Sequence, residues 1–133
     1  MDDREWFENS YFYFREAVET LVQSPSEQCD RMGNYNVAWE LKDDVSRGAE
    51  LLQYVSSASL SAQQRHAISD LISELESVPT NFLPGGGRRE DNLAAMSHPT
   101  WEPLRLKAAA LLEVLASATE RNRRYLFENG TNR

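Results

Sequence analysis

The fold of this chain is decided by residues 100–127, which read TWEPLRLKAAALLEVLASATERNRRYLF. At about 100° per residue, the leucines and alanines collect on one helical face, which is wider than the roughly 100° arc of a surface helix. The residues of this wide face are Leu104, Ala108, Leu111, Leu112, Val114, Leu115, Ala116 and Ala118. We therefore predict a central helix, Thr100–Phe127, with Thr100 as its N-cap and other helices covering it from several sides.

Four further segments place apolar residues at helical spacing. The predicted helices are residues 2–23, 34–57, 62–78 and 90–97, while residues 27–34 form either a weak helical continuation or a loop. Gly48 lies inside the second of them, where close contact with another helix would account for a glycine. Ser61 and Gln64 form a capping box at the start of the third. No segment alternates long enough to predict a strand, so we expect an all-α bundle of four long helices and one short helix.

The predicted bundle is a single domain over residues 1–127, followed by a frayed tail at residues 128–133. An irregular loop is expected at about residues 79–89, because prolines and three consecutive glycines disfavour regular structure there. The only cysteine, Cys29, leaves no internal disulfide. No apolar run approaches the ~18–20 residues that span a bilayer, and the first residues lack a signal-peptide pattern. We therefore expect a soluble cytoplasmic protein that does not bind membranes.

The excess negative charge of this chain is confined to its first half. The whole chain carries 14 Lys and Arg against 21 Asp and Glu, a net charge of −7. Residues 1–60 hold 12 acidic and 5 basic side chains, whereas residues 61–133 hold 9 of each. Because phosphate contacts need positive charge, the first half is not expected to bind nucleic acid. Its charge suits either a basic protein partner or simply the solubility of the chain.

The first two predicted helices combine carboxylates with aromatic side chains on the face opposite their apolar stripes. These sets are Glu5, Glu8, Glu16 and Glu19 around Phe12, and Glu40, Asp43 and Glu50 around Trp39 and Tyr54. Large aromatic side chains are typical anchors of protein interfaces, and carboxylates around them would steer a cationic partner. This pattern makes the face a candidate site for a protein partner.

The candidate partner-binding residues are Phe12, Glu16, Glu19, Trp39, Glu40, Asp43, Asp44, Glu50 and Tyr54. In a helical bundle, however, a second face is often buried by another helix. Trp39 could then equally belong to the core, and the carboxylates would form an ordinary solvated surface. The sequence leaves these two interpretations open.

Motifs for catalysis and metal binding are absent from the sequence. No Gly-x-Ser-x-Gly elbow occurs, the spacing of a phosphate-binding loop is missing, and no Glu-x-x-His motif accompanies His66 or His98. We predict that the protein is not an enzyme and holds no metal or cofactor. Two alternatives stay open: an anion-binding, small-ligand or enzymatic site at the loop Gly85–Arg89, with Arg88 and Arg89 gripping the anion, and a homo-oligomeric structural subunit.

In general character the chain resembles the immunity proteins of bacterial toxin systems, of the contact-dependent growth inhibition and polymorphic toxin type. The likeness lies in small size, acidity, helical content and the lack of catalytic motifs over the whole chain. Residues 83–115 add a block dense in turn and capping residues. The resemblance implies a protein that neutralises a basic toxin, often a nuclease, by covering its active site or a neighbouring surface.

Overall fold

The computed structural model describes residues 2–33, 35–53, 59–79 and 88–129. Within these ranges the backbone forms seven α-helices and a short 3-10 turn, and no strand. The helices are α1 (Asp3–Val22), α2 (Pro25–Met32), α3 (Val37–Leu52), α4 (Ala62–Glu76), α5 (Arg89–Met96), α6 (Glu102–Val114) and α7 (Ala116–Glu128), with the 3-10 turn at Pro99–Trp101. The all-α prediction is confirmed. The expected count of four long helices and one short one is wrong, because residues 25–32 form a helix and residues 100–127 are divided.

Helices α1, α3, α4 and α6 form a bundle in which neighbouring helices run antiparallel. Helix α1 contacts α3 and α6, and α4 contacts the same two helices, so α3 and α6 occupy opposite corners. Three contacts fix the directions: Lys42 Nζ with the Glu76 carbonyl, Lys107 Nζ with the Glu74 carboxylate, and Arg105 Nε with the Gln23 carbonyl. Helices α2 and α5 pack on each other at one end of the bundle, and α7 continues along α1.

The core consists of the apolar stripes that the sequence predicts. Its largest members are Phe7, Tyr11, Phe14, Leu21, Leu41, Leu52, Leu71, Leu75, Trp101, Leu104, Leu111 and Leu115. The face predicted for residues 100–127 is too wide, because Ala116 is exposed and Leu112 and Val114 are only partly buried. Helix α1 contacts α2, α3, α6 and α7, and α3 contacts α1, α2, α4 and α5, whereas α6 packs mainly on α1 and α4. Residues 100–127 therefore form one side of the bundle and not its centre.

The predicted helix Thr100–Phe127 is interrupted twice. Thr100 does not cap it, because its N–H donates to the His98 side chain at 3.1 Å inside the 3-10 turn and α6 begins at Glu102. A second break lies at Leu115, where side chains from other helices reach the backbone. Gln64 Nε2 donates to the Val114 carbonyl at 3.2 Å, and the Tyr11 hydroxyl donates to the Leu115 carbonyl at 3.4 Å. These contacts lie where α6 ends and α7 begins, although the Leu115 N–H and carbonyl keep their helical hydrogen bonds to Leu111 and Thr119 at 2.9 Å each.

Helix α2 resolves the choice that the sequence leaves open at residues 27–34. Ser24 and Glu27 form a capping box, and Pro25 occupies the first turn, where its missing N–H is tolerated. The buried Gln28 side chain donates to the carbonyls of Thr20 and Leu21 at 3.1 and 3.0 Å. Polar contacts therefore hold α2 against the end of α1.

The buried guanidinium of Arg105 joins the helices at this end of the bundle. It donates to the Gln23 carbonyl at 3.0 Å, to Gln28 Oε1 at 3.0 Å and to the Met96 carbonyl at 2.6 Å. Burial lowers the pKa of Arg105, while the neighbouring Glu102 opposes this shift. An arginine of α6 thus fixes where α2 and α5 lie relative to α1.

Helices α1 and α3 approach each other closely at Gly48, as the sequence predicts. A Cβ atom at Gly48 would lie 3.0 Å from Phe14 Cδ1 and 3.2 Å from Phe14 Cα. Because one of these neighbours is backbone, a rotation of the Phe14 ring cannot relieve the contact. The spacing of α1 and α3 therefore depends on the missing side chain of Gly48.

We expect the substitution Gly48→Ala to lower the free energy of unfolding by about 1–2 kcal/mol. Overpacking against Phe14 costs about 1–3 kcal/mol and exceeds the gain of up to about 1 kcal/mol in helix propensity. Urea denaturation measures the change, and Ser73→Ala at an exposed position of α4 is the control, with an effect below about 0.5 kcal/mol. A Gly48→Ala variant more stable than the wild type would show that α1 and α3 have room to separate.

Candidate protein-binding face

Trp39 is not a core residue, although the sequence could not decide this. Its side chain is 50% exposed on α3. Phe12 is only partly buried, and the guanidinium carbon of Arg15 lies 5.3 Å from the centre of its ring. The third predicted aromatic residue, Tyr54, lies outside the described residues. Two of the three predicted aromatic anchors are thus accessible to a partner.

Two further exposed tyrosines lie on the same helices or beside them, and the sequence analysis missed both. Tyr13 of α1 is 65% exposed, and Tyr35, two residues before α3, is 72% exposed. Tyr13 follows Phe12 directly, and its helical position faces away from the apolar stripe, which is a signal that the pattern already contained. Together with Trp39, these rings add to the aromatic surface available to a partner.

Several predicted acidic residues already have basic partners in the fold. Glu16 contacts Arg31 at 3.2 Å and Arg15 at 3.8 Å, while Glu19 contacts Arg15 at 2.9 Å. On α3, Asp43 pairs with Arg47 at 3.2 Å, one helical turn away. These carboxylates contribute less to attraction of a cationic partner than a count of acidic residues suggests.

Glu8 is buried, although helical periodicity predicted it on the solvent-exposed face of α1. One of its carboxylate oxygens accepts a hydrogen bond of 2.7 Å from Asn122 Nδ2 on α7. Its other oxygen lies 3.5 Å from Arg4 Nε. Because α7 packs on this side of α1, helical periodicity alone assigned Glu8 to the wrong surface.

Three of the four carboxylates of α3 have no basic partner among the residues that the structure describes: Glu40, Asp44 and Glu50. Other acidic residues of the described chain, such as Asp3 and Glu5 of α1, are also without an ion pair. Asp44 is exposed at the surface, but partial loss of hydration raises the pKa of its carboxyl, and the charges of Asp43 and Glu40 raise it further. A cationic side chain of a partner would lower this pKa again.

Two of the predicted site residues, Glu16 and Asp44, line a groove of about 390 Å³ between α1 and α3. We refer to it as the α1–α3 groove. Its lining residues are Tyr13, Glu16, Ala17, Thr20, Arg31, Met32, Leu41, Asp44, Arg47, Gly48 and Leu51. Glu50 instead lines a separate depression between α3 and α4. Phe12 and Trp39 are not among the described lining residues of either, so the predicted site is spread over more than one surface.

The alternative site at the glycine loop gains no support from the described residues. Gly85, Gly86 and Gly87 lie outside them. Arg88 pairs with Glu90 and Asp91 at 3.1 Å each, and Arg89 pairs with Asp30 at 2.8 Å. Both arginines are thus engaged with carboxylates in the fold, which weakens their attraction for an added anion.

The carboxylates, histidines and cysteine that the structure describes include no group of three or more side chains placed to hold a metal ion. Cys29 is buried, and burial raises the pKa of its thiol, so the thiolate needed for nucleophilic attack is disfavoured. In the described ranges, no helix combines the length and hydrophobicity that crossing a membrane requires.

Comparison with protein-family models, curated proteins and solved structures finds no match for this chain. The resemblance to toxin-immunity proteins therefore stays a prediction from size, charge and composition.

We expect the substitution Asp44→Asn to stabilise the fold at neutral pH. Because the pKa of Asp44 is raised on folding, the folded state binds this proton more tightly than the unfolded chain. The stability linked to this group is therefore greatest at low pH and is lost as pH rises through the raised pKa. Asparagine imitates the uncharged form, so its advantage should shrink as pH falls towards about 4, near the ordinary pKa of aspartate.

Thermal unfolding followed by circular dichroism at pH 7 and at pH 4.5 or below measures this difference. Glu113→Gln, at an exposed position of α6, is the control and should leave the midpoint unchanged at both pH values. A lower midpoint for Asp44→Asn at neutral pH would mean that the Asp44 carboxylate is stabilised, and not penalised, by its surroundings.

Proposed function

We propose that this protein is an immunity-type inhibitor, which neutralises a basic toxin by binding it through the acidic, aromatic-containing surface of α1 and α3. The observation that carries the proposal is the half-exposed Trp39 on α3, the helix that also carries Glu40, Asp44 and Glu50, which have no ion pair in the described structure. An exposed indole offers a large apolar contact, and the free carboxylates offer charge complementarity. A nuclease is the favoured class of toxin, because its phosphate-binding cleft would present the required positive charge.

The proposal requires binding alone, without catalysis by this chain. An inhibitor of this kind would act in the cytoplasm of the producing bacterium, where it meets the toxin. Attraction between the acidic first half and a cationic toxin would speed their encounter, and the exposed rings would then slow dissociation. A rate of association that falls as salt concentration rises is the expected signature of such steering.

The two alternatives receive less support. An anion site at Gly85–Arg89 would rely on Arg88 and Arg89, which already pair with carboxylates. A homo-oligomer formed through the acidic surface would bring like charges together, which opposes association. Light scattering at micromolar concentration separates the second alternative from the proposal, because it reports the mass of the protein without a partner.

We expect the paired substitution Asp43→Lys/Glu50→Lys to weaken binding of the cognate toxin at least tenfold, or about 1.4 kcal/mol. The probe is the toxin-like domain encoded by the upstream neighbouring gene, and titration calorimetry measures its affinity. Co-expression of the two proteins in a bacterial host reports protection as growth. The reversal should reduce protection, because it replaces attraction by repulsion at two points of the acidic surface.

Glu113→Lys/Glu128→Lys is the matched control, since it changes the net charge equally. Both positions are exposed on α6 and α7, and α6 lies at the corner of the bundle opposite α3. Equal affinity of the Asp43→Lys/Glu50→Lys variant and the wild type would remove this surface from the proposal. Failure of the wild-type protein to protect the host would remove the immunity function itself.

A further inference from the structure

The α1–α3 groove has an apolar floor that is open to solvent. Ala17 and Gly48 are small, so the two helices leave a depression between their axes, and Leu41 and Leu51 contribute to its surface. Leu51 is one of the few large apolar side chains of the described structure that are exposed. An apolar surface in a concave position gains from being covered by an apolar side chain.

The length of the groove limits what can occupy it. On α1 it extends from Tyr13 to Thr20, which at a rise of 1.5 Å per residue is about 10 Å, or two helical turns. Met32 of α2 lines it together with these residues. Two turns of a partner helix match this length. Such a helix could insert one large side chain into the groove and place a second along its rim.

The charges along the rim favour a cationic occupant. Arg31 is paired with Glu16, and Arg47 is paired with Asp43. Asp44 belongs to the same rim and forms no ion pair among the described residues. In the described part of the chain, the groove is lined by two acidic and two basic side chains, but both arginines are already paired, so Asp44 is the carboxylate left without an ion pair. A neutral or acidic segment placed over it would remove water from a carboxylate without providing a partner, which is costly.

We propose that the α1–α3 groove receives an amphipathic helix of the basic partner, with an aliphatic side chain on the floor and a lysine or arginine one turn away at Asp44. This inference rests on the proposed function, since it specifies how that partner is held. The methylene groups of such a cation would cover the exposed Leu51 while its charged end reaches the carboxylate. Side chains four residues apart on a helix lie on one face, so one segment can make both contacts.

Single substitutions within the groove test this inference on the cognate toxin domain. Asp44→Lys removes the partner of the cation, and Leu51→Arg places a bulky charge on the floor. Each should weaken binding at least tenfold in titration calorimetry. The matched controls are Glu113→Lys and Leu106→Arg on α6, which alter an exposed carboxylate and a 68% exposed leucine away from the groove. The controls should stay within twofold of the wild type.

These substitutions separate a failure of the groove as the docking site from a failure of the proposed immunity function. If Asp43→Lys/Glu50→Lys weakens toxin binding while Asp44→Lys and Leu51→Arg do not, the immunity function stands and the groove is not the docking site. If light scattering shows a dimer that Leu51→Arg dissociates, the occupant is a second copy of this chain and the inference is wrong.

Model peptides test the groove without any toxin. Two helical peptides are used, each based on alanine and containing one leucine. Four residues after the leucine, one peptide has arginine and the other has glutamate. The arginine peptide should shift the backbone amide resonances of Ala17 and Gly48 in ¹⁵N spectra of the whole protein, and Asp44→Lys should abolish these shifts. No shift with the arginine peptide, or equal shifts with the glutamate peptide, would overturn the inference.

Discussion

The close approach of α1 and α3 at Gly48 and Phe14 is the contact on which the rest of the structure depends. It brings together two helices that carry nine of the 21 acidic residues of the chain. The same missing side chain that permits this contact also deepens the groove between the helices. Packing and surface shape therefore have one origin here, because the residue that sets the helix spacing also forms part of the groove floor.

Arg105 plays a comparable part at one end of the bundle. Its guanidinium donates hydrogen bonds to the carbonyl of Gln23 after α1, to the side-chain amide oxygen of Gln28 on α2 and to the carbonyl of Met96, the last residue of α5. Most of its acceptors are neutral, so burial is compensated by hydrogen bonds more than by an opposite charge. Because α2 contributes Arg31 and Met32 to the α1–α3 groove, this contact also positions one part of the candidate site.

Helical periodicity predicted the apolar stripes, the capping box at Ser61 and the tight contact at Gly48, since each depends on local spacing or on residue size. It did not predict the break at Leu115, where the side chains that reach the backbone come from α1 and α4 and are distant in the sequence. It assigned Glu8 to solvent because nothing local indicates that Asn122 covers it. The groove was equally invisible, since its two sides are about thirty residues apart in the sequence and meet only through folding.

On α3, residues that pack in the core are direct neighbours of residues that face the solvent. Leu41, Val45 and Gly48 are buried in the bundle, while Asp44 and Arg47 between them face outward. The outward residues of α3 can therefore be exchanged, which changes the chemistry of this surface, without disturbing the inner ones. Leu41 and Gly48 are the exceptions, because both are buried and also line the groove. Substitutions that alter the surface of α3 during evolution should accordingly spare these two positions and fall on their neighbours.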